Sequence, residues 1–331
     1  MKNVTRMMFL AVAVVVAGFG SAAMAVDIET VPVGNVGNSA DSTGYGAVDY
    51  AYNIGKYEVT AGQYRDFLNA VGKTTADTYG LYNSSMDSSS YGCQITWNSV
   101  SGVYDFSGAP SGTAADWANR PVNYVSFWDA CRFANWLGNG QGSGGTETGA
   151  YTMTSGGMSG NTITRNAGAT WVVTSEDEWY KAAYYSGSGG TYYDYPTSSD
   201  SVPGRDMTEG TNPGNNANYY DSGFLIGSPY YRTEAGEFEL SDSPYGTFDQ
   251  GGNVWEWNEA LIDGSYRGLR GGSFYYSDFY LLASPRIIDS PSYEDFFIGF
   301  RVSEVPEPAT LTLLTLGGVA LLRKRKRLIN K

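Results

Sequence analysis

The stretch Gly251-Gly252-Asn253-Val254-Trp255-Glu256-Trp257 carries the densest pattern in this sequence of 331 residues. Two tryptophans flank one carboxylate, and a pair of glycines precedes them. Side chains alternate between the two faces of a β-strand, so Trp255 and Trp257 share one face and Glu256 lies on the other. Paired glycines allow the tight backbone bends found at metal and ligand sites. The stretch predicts an organised site around Glu256, and the alternative is a solvated glutamate on a half-buried strand.

Short strands are predicted on both sides of this stretch. Downstream, residues 269–274 contain a second glycine pair, and residues 297–302 end the patterned region. Upstream, β-branched and aromatic residues predict strands at 54–59, 120–125 and 171–173. The first two of these upstream strands run directly into predicted helices.

Three helices are predicted, and each begins with a capping box. The N-cap residue and its partner three positions later are Thr60 with Gln63, Ser126 with Asp129, and Ser175 with Glu178. Apolar residues then recur at helical spacing, which indicates one buried face per helix. Glycines at positions 72 and 138 are predicted to end the first two helices.

Two long segments, 73–119 and 184–244, are rich in Gly, Ser, Tyr and Asp. The first is predicted to be an irregular surface excursion. The second lacks periodicity but contains many tyrosines, and disordered segments are poor in aromatic residues, so we expect loops held by buried rings. Short strands, three capped helices and long loops predict an α+β domain with little regular secondary structure.

The N-terminal end, residues 1–25, has the pattern of a secretory signal peptide. Lys2 and Arg6 precede an apolar run, and Ala23-Met24-Ala25 supplies the small residues of a cleavage site before Val26. A membrane anchor is the alternative, but the apolar run is shorter than the ~20 residues that a membrane span needs.

The C-terminal end, residues 305–331, has three parts in a fixed order. Val305-Pro306-Glu307-Pro308 leads into an apolar stretch, 311–322, and a cluster of five basic residues, 323–327, follows. This tail resembles a PEP-CTERM sorting signal, which implies recognition at the membrane and removal by an exosortase. The basic end orients the segment with its N-terminal side outside. The expected product is exported, extracytoplasmic or at the cell surface, and only transiently anchored.

The charge balance limits the partners of the chain. Removal of both ends takes away eight of the 21 basic residues but only one of the 34 acidic residues, so the net charge falls from −13 to −20. Such a surface repels nucleic acid, which is therefore not an expected partner. Calcium or a neutral glycan is more compatible with it.

The residue counts also exclude several kinds of chemistry. The sequence contains no histidine, which removes Ser-His-Asp and Cys-His catalysis and imidazole metal sites. Its two cysteines, Cys93 and Cys131, could form one disulfide in an exported protein. Cys131 lies among apolar residues of a predicted helix, so a buried free thiol is the alternative.

The ordered set of segments resembles the sulfatase-modifying-factor, or formylglycine-generating-enzyme, family. The matching segments are 55–60, 120–126, 175–183, 217–219, 251–257, 269–274 and 298–302. The resemblance implies a C-type-lectin-like variant of the α+β class. It covers a single domain, residues 26–304, with a core at about 48–303.

The family's enzymes oxidise a sulfatase cysteine with copper held by two cysteines. The resemblance places those two positions at Tyr276 and Leu281. Soft thiolates suit Cu(I), and neither tyrosine nor leucine can replace them. Copper is therefore not expected, and the residues argue against this oxidase activity.

The family's calcium sites have more counterparts here. The resemblance implies one site made by Asp249, Glu256 and the carbonyls of Gly252 and Val254. A second site would use Asn218 and the carbonyl of Tyr219. Calcium prefers six to eight oxygen ligands, which carboxylates, carbonyls and water supply.

Two functions are compatible with these residues. We expect a non-catalytic binding or extracellular-matrix module, stabilised by calcium, with signal peptidase and exosortase as processing partners. A glycan or cell-surface protein would contact the segment that replaces the family's active site. The candidate contact residues there are Tyr275, Tyr276, Asp278 and Tyr280, and the alternative is that these rings only fill the former cavity. The alternative function is a formylglycine-generating oxidase that uses an unrecognised route.

Overall fold

Two four-stranded sheets and seven α-helices make up the α+β fold of the computed structural model, which describes residues 25–208 and 214–306. The strands are β1 (Thr30–Val33), β2 (Tyr52–Gly55), β3 (Thr96–Asn98), β4 (Val103–Asp105), β5 (Trp171–Val173), β6 (Trp255–Ile262), β7 (Tyr266–Arg270), β8 (Ile287–Asp289), β9 (Ile298–Phe300) and β10 (Val302–Glu304). The helices are α1 (Ala61–Val71), α2 (Lys73–Tyr79), α3 (Ser85–Ser88), α4 (Ala114–Ala118), α5 (Phe127–Gly138), α6 (Ser155–Ser159) and α7 (Glu176–Tyr184). Two short 3₁₀ turns lie at Gly187–Gly189 and Asp278–Leu281.

The two sheets meet at the last strands of the chain. The first sheet has the order β1-β2-β10-β5, and all its pairs are antiparallel. The second has the order β8-β7-β6-β9, in which β6 and β9 run parallel. Only Arg301 separates β9 from β10. Arg301 therefore stands at the junction of the sheets, with a fully buried side chain.

The three predicted capping boxes are confirmed. Thr60, Ser126 and Ser175 each accept from the backbone N–H three residues later, and the third residue's side chain bonds back. Helix α1 ends at Gly72 as predicted, whereas the cap of α5 is Asn139, one residue beyond the prediction.

Helices α1 and α5 pack through an aromatic core. Phe133 of α5 lies 5.4 Å from Phe67 of α1 between ring centroids, and the same distance separates it from Phe300 of β9. Tyr64 stacks on Phe133 at 6.1 Å. These contacts join the helices to the second sheet, so the amphipathic faces read from the sequence are the faces that build the core.

The prediction of an irregular surface excursion at 73–119 is wrong in part. The segment contains α2, α3, the hairpin of β3 and β4, and α4. It also buries several large side chains, namely Met86, Cys93, Ile95, Tyr104 and Trp117. Periodicity could not reveal such short elements, because each of the helices has fewer than two turns and the two strands form a single short pair.

The predicted strand at 120–125 is also wrong, since only Pro121 forms an isolated bridge, with Thr60. Pro121 has no N–H to donate, and Tyr124 adopts a left-handed backbone conformation with φ 56°. The amide of Asn123 instead donates to the carbonyls of Tyr91 and Phe296. The segment is a buried connector held by these side-chain hydrogen bonds and by backbone bonds, among them Val122 N to Val59 O.

Three other strand predictions have shifted ends. The predicted 54–59 strand is β2, which ends at Gly55. The predicted 269–274 strand ends at Arg270, because Gly271 and Gly272 take φ values of 98° and 75°. The predicted 297–302 strand is divided by Arg301 between the two sheets.

The cysteines are both buried and unpaired, which matches the free-thiol alternative. Burial raises the pKa of both thiols, of Cys131 well above its usual range. Thiols in this state are poor nucleophiles and poor metal ligands.

The two predicted sorting segments lie outside the described residues, apart from Ala25, Val305 and Pro306. Within residues 25–208 and 214–306, no helix is long and apolar enough to cross a membrane.

A buried carboxyl group, Asp129, and a half-buried one, Glu294, lie near the start of α5. Asp129 accepts from the Ser126 hydroxyl at 2.6 Å and backbone N–H at 2.9 Å, and burial raises its pKa to about 6. Glu294 accepts from the Asn83 amide at 2.5 Å. Burial, with a smaller contribution from Asp129, raises the pKa of Glu294 to about 7 from an ordinary 4.5.

We expect the melting temperature to fall as the pH rises from 5 to 8. A carboxyl group whose pKa is higher in the folded protein than in the unfolded chain binds its proton more tightly when folded. The stability that this proton adds is complete below the unfolded pKa of 4.5 and is lost as the pH rises through about 7. Glu294→Gln should reduce this fall, whereas the exposed Glu239→Gln should not. Equal pH profiles for wild type and Glu294→Gln, measured by thermal denaturation, would contradict this prediction.

Candidate functional site at the glycine pairs

Glu256 is fully buried and pairs with Arg301 through two parallel hydrogen bonds. Arg301 Nη2 donates to Oε1 at 2.8 Å, and Nε donates to Oε2 at the same distance. Trp179 Nε1 also donates to Oε2 at 2.7 Å. The alternation of faces is as predicted, but the alternative of a solvated glutamate is wrong, since Glu256 is a bidentate partner in a buried ion pair.

The remaining donors of Arg301 bind the surrounding backbone. Nη1 donates to the carbonyl of Gly55 at 2.8 Å, and Nη2 also donates to the carbonyl of Phe248 at 2.8 Å. The ion pair raises the pKa of Arg301 against the opposing effect of burial. One guanidinium thereby fixes strand β2, strand β6 and the loop that precedes the glycine pair.

The glycine pairs allow three backbone segments to approach closely. A Cβ on Gly252 would lie 2.3 Å from the carbonyl oxygen of Asn218, and one on Gly271 would lie 2.6 Å from that of Gln250. Gly252 N donates to Gly271 O at 2.9 Å. Gly252 also has φ 93°, in the region that side chains disfavour. The bend predicted from the glycines is present.

Asn253 binds the two neighbouring segments to this bend. Its Oδ1 accepts from the Asn218 amide at 2.9 Å and from the backbone and hydroxyl of Thr233 at 3.0 and 2.9 Å. Asn218 Nδ2 also donates to Tyr231 O, so both its hydrogens are used and its amide orientation is fixed. Asn218 Oδ1 is buried and has no hydrogen-bond partner.

Asp249 lies at the start of the same bend, in a left-handed conformation with φ 60°. Its Oδ2 accepts from the backbone N–H of Gly236 at 2.7 Å. Burial raises the pKa of Asp249 to about 6, and the charge of Glu256 adds to this effect. The structure thus places Asn218 directly against the glycine bend, and Asp249 two residues before it along the chain.

The acidic side chains of this region do not form a metal cluster by themselves. Within the described part of the chain, no three Asp, Glu, Cys or His residues converge closely enough to hold a metal ion. A cation here would need backbone carbonyls, as in the ligand sets implied by the resemblance. Glu256 Oε1 accepts one hydrogen bond and keeps a second lone-pair direction. The metal roles of Asp249, Gly252, Val254, Glu256, Asn218 and Tyr219 stay predictions.

The two positions that the resemblance assigns to copper cysteines, Tyr276 and Leu281, hold packed side chains. Leu281 is fully buried, and a Cβ on Gly272 would lie 2.8 Å from its Cδ1. Tyr276 is half-buried, with its ring 5.8 Å from Trp255, 5.2 Å from Tyr280 and 5.3 Å from Phe297. Tyr276 and Tyr280 therefore cover Trp255, which favours the filling alternative for these two rings.

Tyr275 is more exposed, at 45%, and its ring lies 6.1 Å from that of Tyr276. It belongs to a group of touching rings that we name the aromatic face: Tyr91, Tyr220, Phe224, Tyr231, Phe274, Tyr275 and Phe296. The rings of Tyr275 and Phe224 lie 5.8 Å apart at 34°, and Phe224 lies 5.4 Å from Tyr220, which is 40% exposed. Asp278 opens the adjacent 3₁₀ turn.

Sequence reasoning found Tyr275 but missed most of the aromatic face. Its members come from four loops, around residues 91, 220–231, 274–275 and 296, and no spacing connects them. It also missed Arg301 as the partner of Glu256, although both residues lie in segments that the resemblance had singled out.

The comparisons with known proteins agree with this fold. The sulfatase-modifying factor enzyme 1-like domain profile matches residues 20–305, so the chain belongs to that family. The PEP-CTERM protein-sorting motif matches residues 304–326. No curated protein matches the sequence.

Solved structures that match the chain share little sequence with it. Treponema denticola variable protein 1 is 20% identical, with a TM-score of 0.48, and the match covers 84% of this chain and 95% of that one. CarF is 20% identical, with a TM-score of 0.48 and coverage of 85% and 99%. PvdO from Pseudomonas aeruginosa is 14% identical, with a TM-score of 0.45 and coverage of 84% and 91%.

Gly252→Ala should destabilise the protein strongly. The new Cβ would combine a positive φ, which costs ~1–3 kcal/mol, with overlap on the Asn218 carbonyl. Gly102→Ala is the matched control, because Gly102 has φ 72° but open space around its Cβ position. Chemical denaturation should give a larger loss of unfolding free energy for Gly252→Ala. Equal losses would mean that the bend has no steric requirement.

Proposed function

We propose that the mature protein is an exported, non-catalytic binding module that holds a neutral glycan on the aromatic face and is stabilised by calcium. The observation that carries the proposal is the aromatic face itself, a surface of touching rings beside the positions where the family's enzymes have copper ligands. The family membership and the sorting motif support an exported scaffold of this kind, processed by an exosortase and attached at the cell surface.

The residues in place do not suit the oxidase chemistry of the family's enzymes. Tyr276 and Leu281 supply no thiolate, and Leu281 is closely packed against glycine. Burial keeps Cys93 and Cys131 protonated, so they are poor substitutes for a copper pair. A redox reaction here would need ligands that these positions do not provide.

A neutral sugar is the ligand class that fits the aromatic face. Sugar rings present C–H groups that pack on aromatic rings, while tyrosine hydroxyls can bond sugar hydroxyls. Asp221 and Asp295 are the chain neighbours of Tyr220 and Phe296 in this surface, and the mature chain carries a charge of −20 after the loss of both ends. An anionic polysaccharide would be repelled, whereas a neutral one would not.

Tyr275→Ala should weaken glycan binding by about tenfold, because one ring stack contributes on the order of 1 kcal/mol or more. Tyr266→Ala is the matched control, since Tyr266 is 42% exposed and lies outside the aromatic face. A glycan array identifies the ligand, and titration calorimetry then measures both variants.

Binding to surface proteins alone, with no glycan bound at micromolar concentration, would contradict the glycan assignment. A sulfatase-motif peptide provides the test of the enzymatic alternative. Conversion of its cysteine to formylglycine, followed by mass spectrometry, would contradict the non-catalytic proposal.

The calcium part of the proposal is supported by the unpartnered Asn218 Oδ1, an oxygen that a cation would satisfy. Asn218 and the carbonyl of Tyr219 would hold one ion. Asp249, the carbonyls of Gly252 and Val254, and the free lone pair of Glu256 would hold the other. Each calcium ion would bind oxygen atoms from several residues and so hold the glycine bend against the adjacent loops.

Calcium should raise the melting temperature, and Asp249→Asn should reduce that rise. A ligand at 100 times its dissociation constant stabilises by about 2.7 kcal/mol. Asp249→Asn is the suitable variant, because the amide keeps an oxygen that can accept the hydrogen bond from the Gly236 N–H. Removal of Glu256 would instead leave Arg301 unpaired and destabilise the fold by itself. Asp242→Asn, at an exposed position, is the control. An identical melting temperature in calcium and in EDTA would remove calcium from the proposal.

A further inference from the structure

Val26, the residue at which the mature chain is predicted to begin, is fixed to the domain by its own backbone. Its N–H donates to Gln141 Oε1 at 2.6 Å, and Gln141 Nε2 donates to its carbonyl oxygen at 2.8 Å. The Val26 side chain is 8% exposed and belongs to the main hydrophobic core, whereas Ala25 is exposed. The boundary between exposed and buried chain therefore coincides with the cleavage site predicted from the sequence.

Gln141 makes these bonds from an uncommon backbone conformation. Three successive residues, Gly140, Gln141 and Gly142, have positive φ values of 82°, 64° and 63°. Glycine adopts this region at little cost, but a residue with a side chain seldom does, and such residues concentrate at functional sites. A glycine at position 141 would remove this strain. The glutamine that stands there instead supplies the amide that binds Val26.

Trp136, in the last turn of α5, fixes the loop that carries Gln141. Its carbonyl accepts from Gln141 N at 2.9 Å, and its indole Nε1 donates to the carbonyl of Gly142 at 2.8 Å. Trp136 is itself buried. A buried helix residue thus positions the Gln141 amide, and a preorganised partner lowers the entropic cost of binding.

The residues after Val26 continue the attachment. Gln63 Nε2 donates to the carbonyl of Asp27 at 2.8 Å, and Lys56 N donates to the carbonyl of Glu29 at 2.8 Å. The chain then enters β1, an edge strand of the first sheet. The segment is attached to the domain from Val26 onward, so no spacer separates the predicted cleavage site from the fold.

We propose that Gln141 is a receptor for the α-ammonium group that removal of the signal peptide creates at Val26. Signal peptidase adds water across the Ala25–Val26 bond, so the new carboxylate leaves with the signal peptide and the Val26 nitrogen becomes an ammonium group. Gln141 Oε1 then accepts from a charged donor, and charge-assisted hydrogen bonds are roughly twice as strong as neutral ones. Ala25 is exposed, so its departure opens the nitrogen to water, which can bind the remaining ammonium protons.

The receptor has two consequences for the exported protein. Processing should stabilise the fold, because it places a positive charge on an oxygen that is already in position. Docking should also protect the N-terminus, since the first residues of a domain are prone to proteolysis unless they are tied down. An aminopeptidase must bind the α-amine and the first side chain, and the domain covers both. The proposal rests on the predicted export and cleavage, and it does not depend on the glycan or on calcium.

The test compares exported, processed proteins that differ by one residue at the N-terminus. Intact mass spectrometry first identifies the residue at which the wild type begins. In the matched protein, one glycine is inserted between Ala25 and Val26, which moves the charge one residue away while Val26 keeps its N–H. Gln141→Glu and Gln141→Met are then introduced into both proteins. Glutamate adds a counter-charge, and methionine removes the amide at similar length.

We expect the wild type to begin at Val26 and to melt about 2 °C above the glycine-inserted protein, the shift that one strengthened hydrogen bond gives in a large domain. Gln141→Glu should widen this difference, because a carboxylate pairs with the ammonium group, and Gln141→Met should abolish it. Aminopeptidase should release Val26 from Gln141→Met at least about tenfold faster than from the wild type, as expected for loss of a charged hydrogen bond.

Any of three results would overturn the proposal. One is a processed wild type that begins at a residue other than Val26, which would also contradict the predicted cleavage site but not the binding proposals. A second is an equal melting temperature for the two N-termini, or an equal effect of Gln141→Glu on both. A third is release of Val26 at the same rate from the wild type and from Gln141→Met. The comparison of the two N-termini needs no substitution within the domain, so it decides the matter even if Gln141→Met fails to fold.

Discussion

The buried pair of Arg301 and Glu256 is the interaction on which the rest of the structure depends. Arg301 occupies the single position between β9 and β10, and its guanidinium also binds the carbonyl of Gly55 at the end of β2 and that of Phe248 in a loop. Loss of one partner would leave the other charge buried and unpaired, at a cost of about 3–5 kcal/mol. The glycine bend, the aromatic core and the last strand of the first sheet all meet at this pair. Its geometry therefore sets the relative position of the two sheets.

Local signals in the sequence predicted local structure well. The three capping boxes are correct because each involves residues three positions apart, so no tertiary information was needed. The alternation around Glu256 is correct for the same reason. Strand ends were predicted poorly. The paired glycines end β7 through positive φ values that residue type only partly reveals, and at Arg301 the chain passes from one sheet to the other. The strand expected at 120–125 fails because Asn123 finds partners in two distant loops.

The sequence predicted those parts of the candidate site that lie within one segment, but not those that combine distant segments. Glu256 was identified within its own motif, but its partner lies 45 residues away and looked like an ordinary strand residue. The aromatic face combines loops separated by almost the whole domain, and composition indicated only that buried rings hold these loops. Glu58 was not identified either: it is buried, and its carboxyl oxygens have no hydrogen-bond partner in the described part of the chain. No sequence pattern reports an unsatisfied carboxylate, and only the packing around it does.

The position of β10 has a mechanical consequence. This strand is hydrogen-bonded on both sides, to β2 and to β5, and it ends two residues before the last described residue, Pro306. A pull on the C-terminal end, as from an attached surface, would be borne first by a strand held in the middle of a sheet. The force would pass through Val302 to Arg301 and then to Glu256. Tension applied at this end would therefore enter the domain along a central strand and reach the buried ion pair within four residues.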